Sequence, residues 1–509
     1  MEPDETREVK VTLNSALDIV GFGLYSYLLL VLTGMVIMSY SCIVFSNTVL
    51  IPISSCDLKI GSFQQGLLVA MPSIGAILGA LFWGYLGDTH GRRRMLLTSL
   101  FLGATTNALS SLSVNWFMLI VVQFIASVLV SGQQPLSMTL LSECVPVDKR
   151  NLAIILVTSI YLFSQGLMAV IAMPIAPLDF SLYMPHLGIY WTPWRAIMLI
   201  YSTPSLVCFI WMFFMQESPK YVFINKDDVH ALKVLKVIHR VNNLISGEPF
   251  EVTGLIQTTE QPENMKSDAS FWTKLKPFFK KPLRCQVILV TLLYSLQFMW
   301  VFKVWLPTIA NQFMIIMDTG SGSDLTICRA FALSLQDQSE GPCKLKIKAL
   351  SLVLAVCVVQ AIANIVLSLL IKRVGRRNLV IIITSVCGVC GIFVNVIPNA
   401  IASASLFTVQ MVGMICTGYY TAIAVSLFPT AVRAMGVTIA VTANRLSMFI
   451  AIQILNYQLQ TACEMGFFIF CGLFTLSSMI ATLLPDERKS ARRLSFSPGV
   501  VRHSLGGRF

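Results

Sequence analysis

The chain has 509 residues, 55% apolar and only 12% charged, about half the roughly 25% charged residues of a soluble domain. With a mean hydropathy of +0.74 it has too few charges to cover a water-exposed surface, which excludes a cytosolic enzyme, a disordered chain and a small secreted scaffold. The net charge of +12, from 37 Lys and Arg against 25 Asp and Glu, would suggest nucleic acid in a soluble protein; here the bases cluster in particular loops, so no nucleic-acid partner is expected and the partner is the lipid bilayer.

Residues 1–20 are polar and acid-containing, with no cleavable signal pattern. Apolar runs follow at 21–45, 62–86, 95–113, 116–141, 152–174, 194–215, 285–309, 348–371, 378–398, 403–427, 435–457 and 463–484. Runs of this length suit a hydrocarbon core of roughly 30 Å. They predict an all-α membrane protein of twelve transmembrane helices in two six-helix halves. The expected units are an N-terminus at 1–20, a first half at 21–216, a linker at 217–284, a second half at 285–484 and a basic tail at 485–509.

Charge orients the bundle. The turn after the second run reads Gly87-Asp88-Thr89-His90-Gly91-Arg92-Arg93-Arg94, and the turn after the fourth carries Asp148-Lys149-Arg150. The linker holds eleven Lys and Arg, the turn after the eighth run reads Lys372-Arg373-Val374-Gly375-Arg376-Arg377, and the tail has six bases against two acids. With twelve alternating spans all of these share one side, which the positive-inside rule makes cytoplasmic, together with both termini.

An internal repeat supports two homologous halves. Gly91-Arg92-Arg93 recurs as Gly375-Arg376-Arg377 at an offset of 284, and Glu143-x-x-Pro146-x-x-x-Arg150 recurs as Ser426-x-x-Pro429-x-x-x-Arg433 at 283. An even number of spans separates them, so the halves have parallel topology. This pattern, with the 84–94 loop, resembles the major facilitator superfamily. SECVPVDKR at 142–150, QESPKYV at 216–222 and SLFPTAVRAMGV at 426–437 resemble its sugar and organic-ion branch. Trp194-Arg195, the 216–221 segment and ALKVLKVIHRVN at 231–242 are most similar to the synaptic vesicle glycoprotein 2 and related-protein group. Departures are Thr89 for the usual Arg, Ser426 for Glu, an uncharged helix one, Gln123 in place of the helix-four Arg, and the absence of any Asn-x-Ser/Thr sequon.

The resemblance implies a transporter of a small organic solute working by alternating access, in the plasma membrane or a vesicle membrane. The alternative is a non-transporting binding protein that keeps the fold. It also implies a gating role for Gly84, Asp88, Gly91, Arg92 and Arg93, and for Gly375, Arg376, Arg377 and Arg433 in the second half. Glu143 with Arg150, and Glu217 with Lys220, are candidate charge pairs at helix ends, against the plain reading of solvated interfacial charges. Arg445, with Asn444 beside it, stands near the middle of helix eleven, and a charge there normally faces a cavity or a partner. It is taken as the only mid-membrane ionisable group and as an anion contact.

Tyr294, Gln297, Trp300 and Lys303 fall at spacings of three or four on helix seven. Tyr161, Gln165, Gln134 and Tyr420 are further candidates for a polar-aromatic cavity, against plain helix packing. Cys328 and Cys343, in the one sizeable loop of the opposite side, are a candidate disulfide, with Cys56 as a competitor. No catalytic residues, metal site or phosphate-cradling loop is found, so no cofactor and no enzyme activity are expected; a monomer is the expected unit. Tags near residue 260 and at the C-terminus are expected to be cytoplasmic and one near 335 not; protease protection placing 260 and 335 on one side would overturn the topology.

Overall fold

The computed structural model describes residues 10–484 apart from 187, 226–227, 245–246, 248–249, 257–277, 279, 281–282, 319–323, 337–344 and 429–432, with backbone alone at 81, 372, 433 and 434. Twelve long helices follow the expected runs: α1 Leu24–Asp57, α2 Ser62–His90, α3 Arg92–Ser110, α4 Trp116–Cys144, α5 Val147–Ala172, α6 Pro193–Met212, α7 Leu283–Asp318, α8 Ile347–Val374, α9 Arg376–Phe393, α10 Ala400–Leu427, α11 Arg433–Thr461 and α12 Cys463–Ala481. All but α3 contain a window apolar enough to cross a membrane on composition alone. α3 opens on three arginines and carries Thr105, Thr106 and Asn107. Those polar groups are satisfied within the protein: the threonines bond carbonyls one turn back, and Asn107 Nδ2 donates to the Met198 carbonyl (3.1 Å) and Ser202 Oγ (2.9 Å).

The repeat is visible in the helix ends. Asn115 caps α4 by accepting from the Met118 amide, and Asn399 caps α10 by accepting from the Ala402 amide, again at an offset of 284. Five of the described helices are interrupted: α4 at 131–132, α6 at 201–202, α10 by a 3-10 turn at 413–415, and α1 and α7 at places that face the seam. α1 divides at Phe45 into Leu24–Val44 and Ser46–Asp57; α7 divides at 296–298 into Leu283–Ser295 and Met299–Asp318. Backbone freed at such breaks needs partners, and Thr48 Oγ1 donates to the Phe45 carbonyl at 2.7 Å.

Small residues let helices approach within each half. A Cβ on Gly75 or Gly79 of α2 would stand 2.9 or 2.4 Å from the Phe124 or Val128 carbonyl of α4. Between halves, α2 packs on α11, α5 on α8, and the second segment of α1 on that of α7. The basic-side segments of α4 and α10 form no comparable interface, and Gly84 of α2 and Gly418 of α10 have open space above them. The seam is therefore closed on the side away from the basic turns, called here the far side, and open on the basic side. Gly84 is not the close-approach position expected of it; Gly87 is, with Leu136 in the way of any side chain.

The N-terminal segment and linker join on the basic side. Lys10–Thr12 pairs in parallel with Gly254–Ile256, and the helix Leu13–Val20 packs on the linker helix Asp228–Asn242. Asn242 donates to the Val20 and Gly21 carbonyls and accepts from the Ser26 amide, fastening this unit to α1. On the far side Cys328 pairs with Cys463, tying the loop helix Ile327–Gln336 to the start of α12. This corrects the expected Cys328–Cys343 bridge: the sequence spacing favoured a bond within one loop, whereas the fold brings the loop helix against α12. Cys343 lies outside the described residues; Cys56 is disulfide-bonded.

Gly79→Leu is expected to abolish monodisperse folded protein, because overpacking a seam costs about 1–3 kcal/mol or more, while Gly84→Leu is tolerated; size-exclusion profiles of the two variants check this.

Candidate functional site

On the basic side, the tight turn between α2 and α3 is built on Gly91, whose φ of +96° is the left-handed region. A Cβ there would lie 2.5 Å from Glu217 Oε2 and 3.0 Å from Tyr221 Cε1. The turn aims its charges inward. Arg93 donates through Nε to the Met212 carbonyl (3.2 Å) and through its guanidinium to the Phe213 carbonyl (2.8 Å), the carbonyl-rich end of α6. Its amide donates to Glu217 Oε1 at 2.9 Å. Arg92 pairs with Glu143 at 3.3 Å and with Asp88 at 3.1 Å, and its guanidinium lies 5.3 Å from the Tyr221 ring centre. Ser218 Oγ donates to Glu143 at 2.5 Å and accepts from the Tyr221 amide, capping the short helix Pro219–Asn225.

The expected pairing is thereby rearranged. Glu143 pairs with Arg92, not Arg150, and Glu217 accepts from the Arg93 and Ser218 amides, not from Lys220. The helix-end spacing that suggested those pairs ignored the turn, which delivers Arg92 and Arg93 directly to both carboxylates. Asp88 is the weakest member, with its side chain 78% exposed.

The second half repeats the device. Gly375 has a φ of +86°, and the Arg377 guanidinium donates to the Thr482 carbonyl at the end of α12, the counterpart of Arg93 on α6. Ser426 bonds its own helix, to the Ile423 carbonyl at 2.8 Å. The Arg433 side chain lies outside the described residues.

The central candidates separate into two groups. Tyr294, Gln297 and Trp300 zip α7 to α10 inside the second half: Tyr294 hydroxyl with Thr421 (2.6 Å), Gln297 Nε2 to the Gly413 carbonyl (2.9 Å) and Trp300 Nε1 to Thr417 (3.1 Å). Asn444 donates to the Tyr294 carbonyl at the α7 break, and Tyr420 is buried, its ring 5.7 Å from that of Tyr294. These are chiefly packing and backbone-satisfying groups.

The second group spans the seam. Arg445 of α11, half-buried, donates to the Ala76 carbonyl of α2 at 2.5 Å and makes no ion pair among the described residues. It lies within electrostatic reach of the Tyr40 and Tyr161 hydroxyls. Lys303 of α7, 4% exposed, crosses to α5, donating to the Leu162 carbonyl at 3.1 Å, while Gln165 Nε2 donates back to the Lys303 carbonyl at 3.1 Å. The Lys303 ammonium lies 5.5 Å from the Trp300 ring centre and 5.9 Å from that of Tyr161, within cation–π reach. Phe45, at the α1 break, stacks on Trp300 at 6.4 Å. Gln134 is half-buried on the basic side of α4.

Arg445 is therefore not the only mid-span ionisable group. Lys303 stays beside Trp300 on that face, but its long side chain reaches the Leu162 carbonyl of α5 in the other half, where Tyr294, Gln297 and Trp300 bond α10 in their own. A second missed cluster lies at the far side. Arg195, 2% exposed, donates to the Ser111 (2.8 Å) and Ser113 (2.9 Å) carbonyls, and Asp57 accepts from Trp194 Nε1 at 2.7 Å. Trp194-Arg195 carried the family resemblance, yet no spacing pointed to its partner Asp57, 137 residues earlier than Trp194.

The broken α1 and α7, the two turn latches and the parallel halves define a secondary transporter architecture. A family model for the Major Facilitator Superfamily matches residues 29–452, and the chain belongs to that superfamily of membrane transporters. The synaptic vesicle 2-related protein of Rattus norvegicus is 22% identical over 483 residues, 93% of this chain and 80% of that one. The human synaptic vesicle glycoprotein 2B is 24% identical over 328 residues, 58% of this chain and 47% of that one. The fold is similar to the inward-open xylose transporter of E. coli, with a TM-score of 0.63 at 16% identity over 91% of this chain and 96% of that one.

Glu217→Ala, which leaves the Arg93 and Ser218 amides without their acceptor, is expected to lower stability by about 1–3 kcal/mol, and Asp88→Asn by less than about 1 kcal/mol; thermal unfolding in detergent checks the order.

Proposed function

We propose that the chain carries a small organic anion or zwitterion across its membrane by alternating access, the two halves rocking about the seam that holds Arg445 and Lys303. One observation supports this reading above the others: two cations of the second half stand at mid-span against backbone of the first, with no Asp or Glu in the middle of any described span. A charge held there normally faces a cavity or a partner. Arg445 keeps part of its guanidinium uncovered, and its neighbours Tyr161 and Tyr40 carry hydroxyls suited to orienting a carboxylate or sulfonate.

In this reading the basic side is cytoplasmic, both termini are cytoplasmic, and the closed far side makes the conformation inward-facing. The Gly91 and Gly375 turns are gating latches: they rigidify each half, and the Arg92–Glu143 pair is the element remade when the basic side closes. The synaptic vesicle names of its relatives support a vesicle membrane, with the plasma membrane as the other candidate. A non-transporting protein that merely keeps the fold is less well supported, because it has no use for a latch in both halves or for a seam closed on one side alone.

A fixed guanidinium does not cycle a proton, since it stays charged at any physiological pH. Lys303, the other mid-span cation among the described residues, is held on the Leu162 carbonyl, and the reading takes transport as facilitated or by solute exchange, with Lys303 the group a proton-coupled mechanism would use. In proteoliposomes, anion uptake is expected to equilibrate with no imposed pH gradient, and Arg445→Ala is expected to lower kcat/KM about tenfold to a hundredfold, the value of a hydrogen bond to a charge. Uptake that accumulates only with the gradient, or is untouched by Arg445→Ala, would sink the reading.

A further inference from the structure

The cysteines leave one pairing to be made by elimination. Of the thirteen in the sequence, nine are free thiols, Cys328 and Cys463 are joined to each other, and Cys56 is disulfide-bonded. The one cysteine that remains is Cys343. The described geometry agrees. Cys56, near the end of the second segment of α1, lines one far-side cleft together with Leu345 and Lys346, just before α8. Cys343 precedes Leu345 by two residues. A disulfide holds its Cα atoms within about 7 Å, and two chain steps of about 3.8 Å cover the rest.

From this we infer that Cys56 is bonded to Cys343, so that the two halves are joined covalently on the far side. The bond differs in kind from Cys328–Cys463, which stays inside the second half. Both of its ends are anchored. Asp57, next to Cys56, accepts from Trp194 Nε1 at 2.7 Å and lies 3.7 Å from the Arg195 guanidinium, which ties the end of α1 to α6. Leu345 is buried, the Lys346 amide donates to Asn311 Oδ1 at 2.9 Å, and Lys346 Nζ pairs with Asp318 at 3.1 Å, which ties that end to α7. By chain length alone, the Cα atoms of Cys56 and Leu345 part by no more than roughly 14 Å while the bond is intact. The halves therefore separate by a bounded distance at this edge, and the Asp57–Trp194–Arg195 cluster, which takes no part in the turn latches, passes that limit to α6.

Forming the bond joins two thiol sulfurs and releases two protons and two electrons. The electrons pass by thiol–disulfide exchange to a protein or glutathione disulfide, which is reduced to two thiols. Such oxidants prevail outside the cytoplasm. The inference thus rests on the far side being non-cytoplasmic, as proposed above, and does not need the anion-transport reading.

The test uses the full chain with a site for a sequence-specific protease inserted near residue 260, in membranes quenched with N-ethylmaleimide before solubilisation. After cleavage, a denaturing gel without reductant is expected to show the two halves as one species of full-chain mass, and with reductant as two. Cys56→Ser is expected to release the halves without reductant, and Cys328→Ser to leave them joined. Should Cys56→Ser fail to fold, mass spectrometry of the unreduced unsubstituted chain is expected to find the Cys56 and Cys343 peptides linked. Halves that separate without reductant, a joined species of twice the chain mass, or N-ethylmaleimide on Cys56 would each overturn the bond. Joined halves in a protein that takes up no anion would overturn the transport reading alone.

Discussion

The reciprocal bond between α5 and α7 is the contact on which the state of this molecule depends. Lys303 gives its ammonium to the Leu162 carbonyl, and Gln165 returns an amide N–H to the Lys303 carbonyl. Each bond joins a side chain of one half to the backbone of the other, so neither survives separation of the halves. Leaving a charged donor unmade in a dry seam costs more than the bond is worth in water. The far side is thus closed by groups that must find another partner before it opens. Entering water is one such partner, and under the transport proposed above a bound anion is another, which would link occupancy of the seam to its opening.

Everything outside the seam serves to keep each half rigid enough for that linkage to matter. Arg93 on the end of α6 and Arg377 on the end of α12 tie the third and sixth helices of each half together by the same chemistry, a guanidinium on terminal carbonyls. The first half adds carboxylates, Glu143 and Glu217, where the second has Ser426 at the position matching Glu143. The halves are therefore related in geometry but not in charge. The first carries a network around Arg92; in the second the described contact is the Arg377 guanidinium on the Thr482 carbonyl. Interrupted α1 and α7 put the flexible points on the faces that meet across the seam, as expected where bent helices line a pathway.

Much of this was legible in the sequence because it rests on local regularities. Twelve spans, parallel halves and the Gly-Arg-Arg turns follow from hydropathy and one offset, and even polar α3 was found, since its apolar stretch from Met95 outlasts its three arginines. What sequence spacing could not supply was direction. Helical periodicity put Tyr294 and Lys303 on one stripe, but a stripe does not say which neighbour each side chain meets: Tyr294 and Trp300 bond α10 within their half, while Lys303, three residues past Trp300, reaches α5 of the other. Likewise Cys328 joins Cys463 across 135 residues because a loop helix folds over the second half, and no local rule encodes that return. The latch carboxylates were identified but mispaired, since partners 124 residues apart, such as Arg93 and Glu217, meet only once the bundle is assembled.

The mid-span charges carry the last step. Both cations belong to the second half and meet the first across a low-dielectric seam, where among the described residues no carboxylate pairs with either and each is compensated by backbone carbonyls and aromatic faces: Ala76 for Arg445, and Leu162, Tyr161 and Trp300 for Lys303. Neutral dipoles and ring faces compensate a full charge less completely than an ion does. A purely structural seam would be more stable with Met or Leu at both positions, as replacement of buried charges by apolar side chains of similar volume is often neutral or stabilising. Two cations held by neutral groups alone are therefore a poor packing solution, and under the anion transport proposed above an incoming anion relieves a cost that the folded protein already bears. Because both cations belong to the second half while their carbonyl partners belong to the first, parting the halves removes those partners from both together.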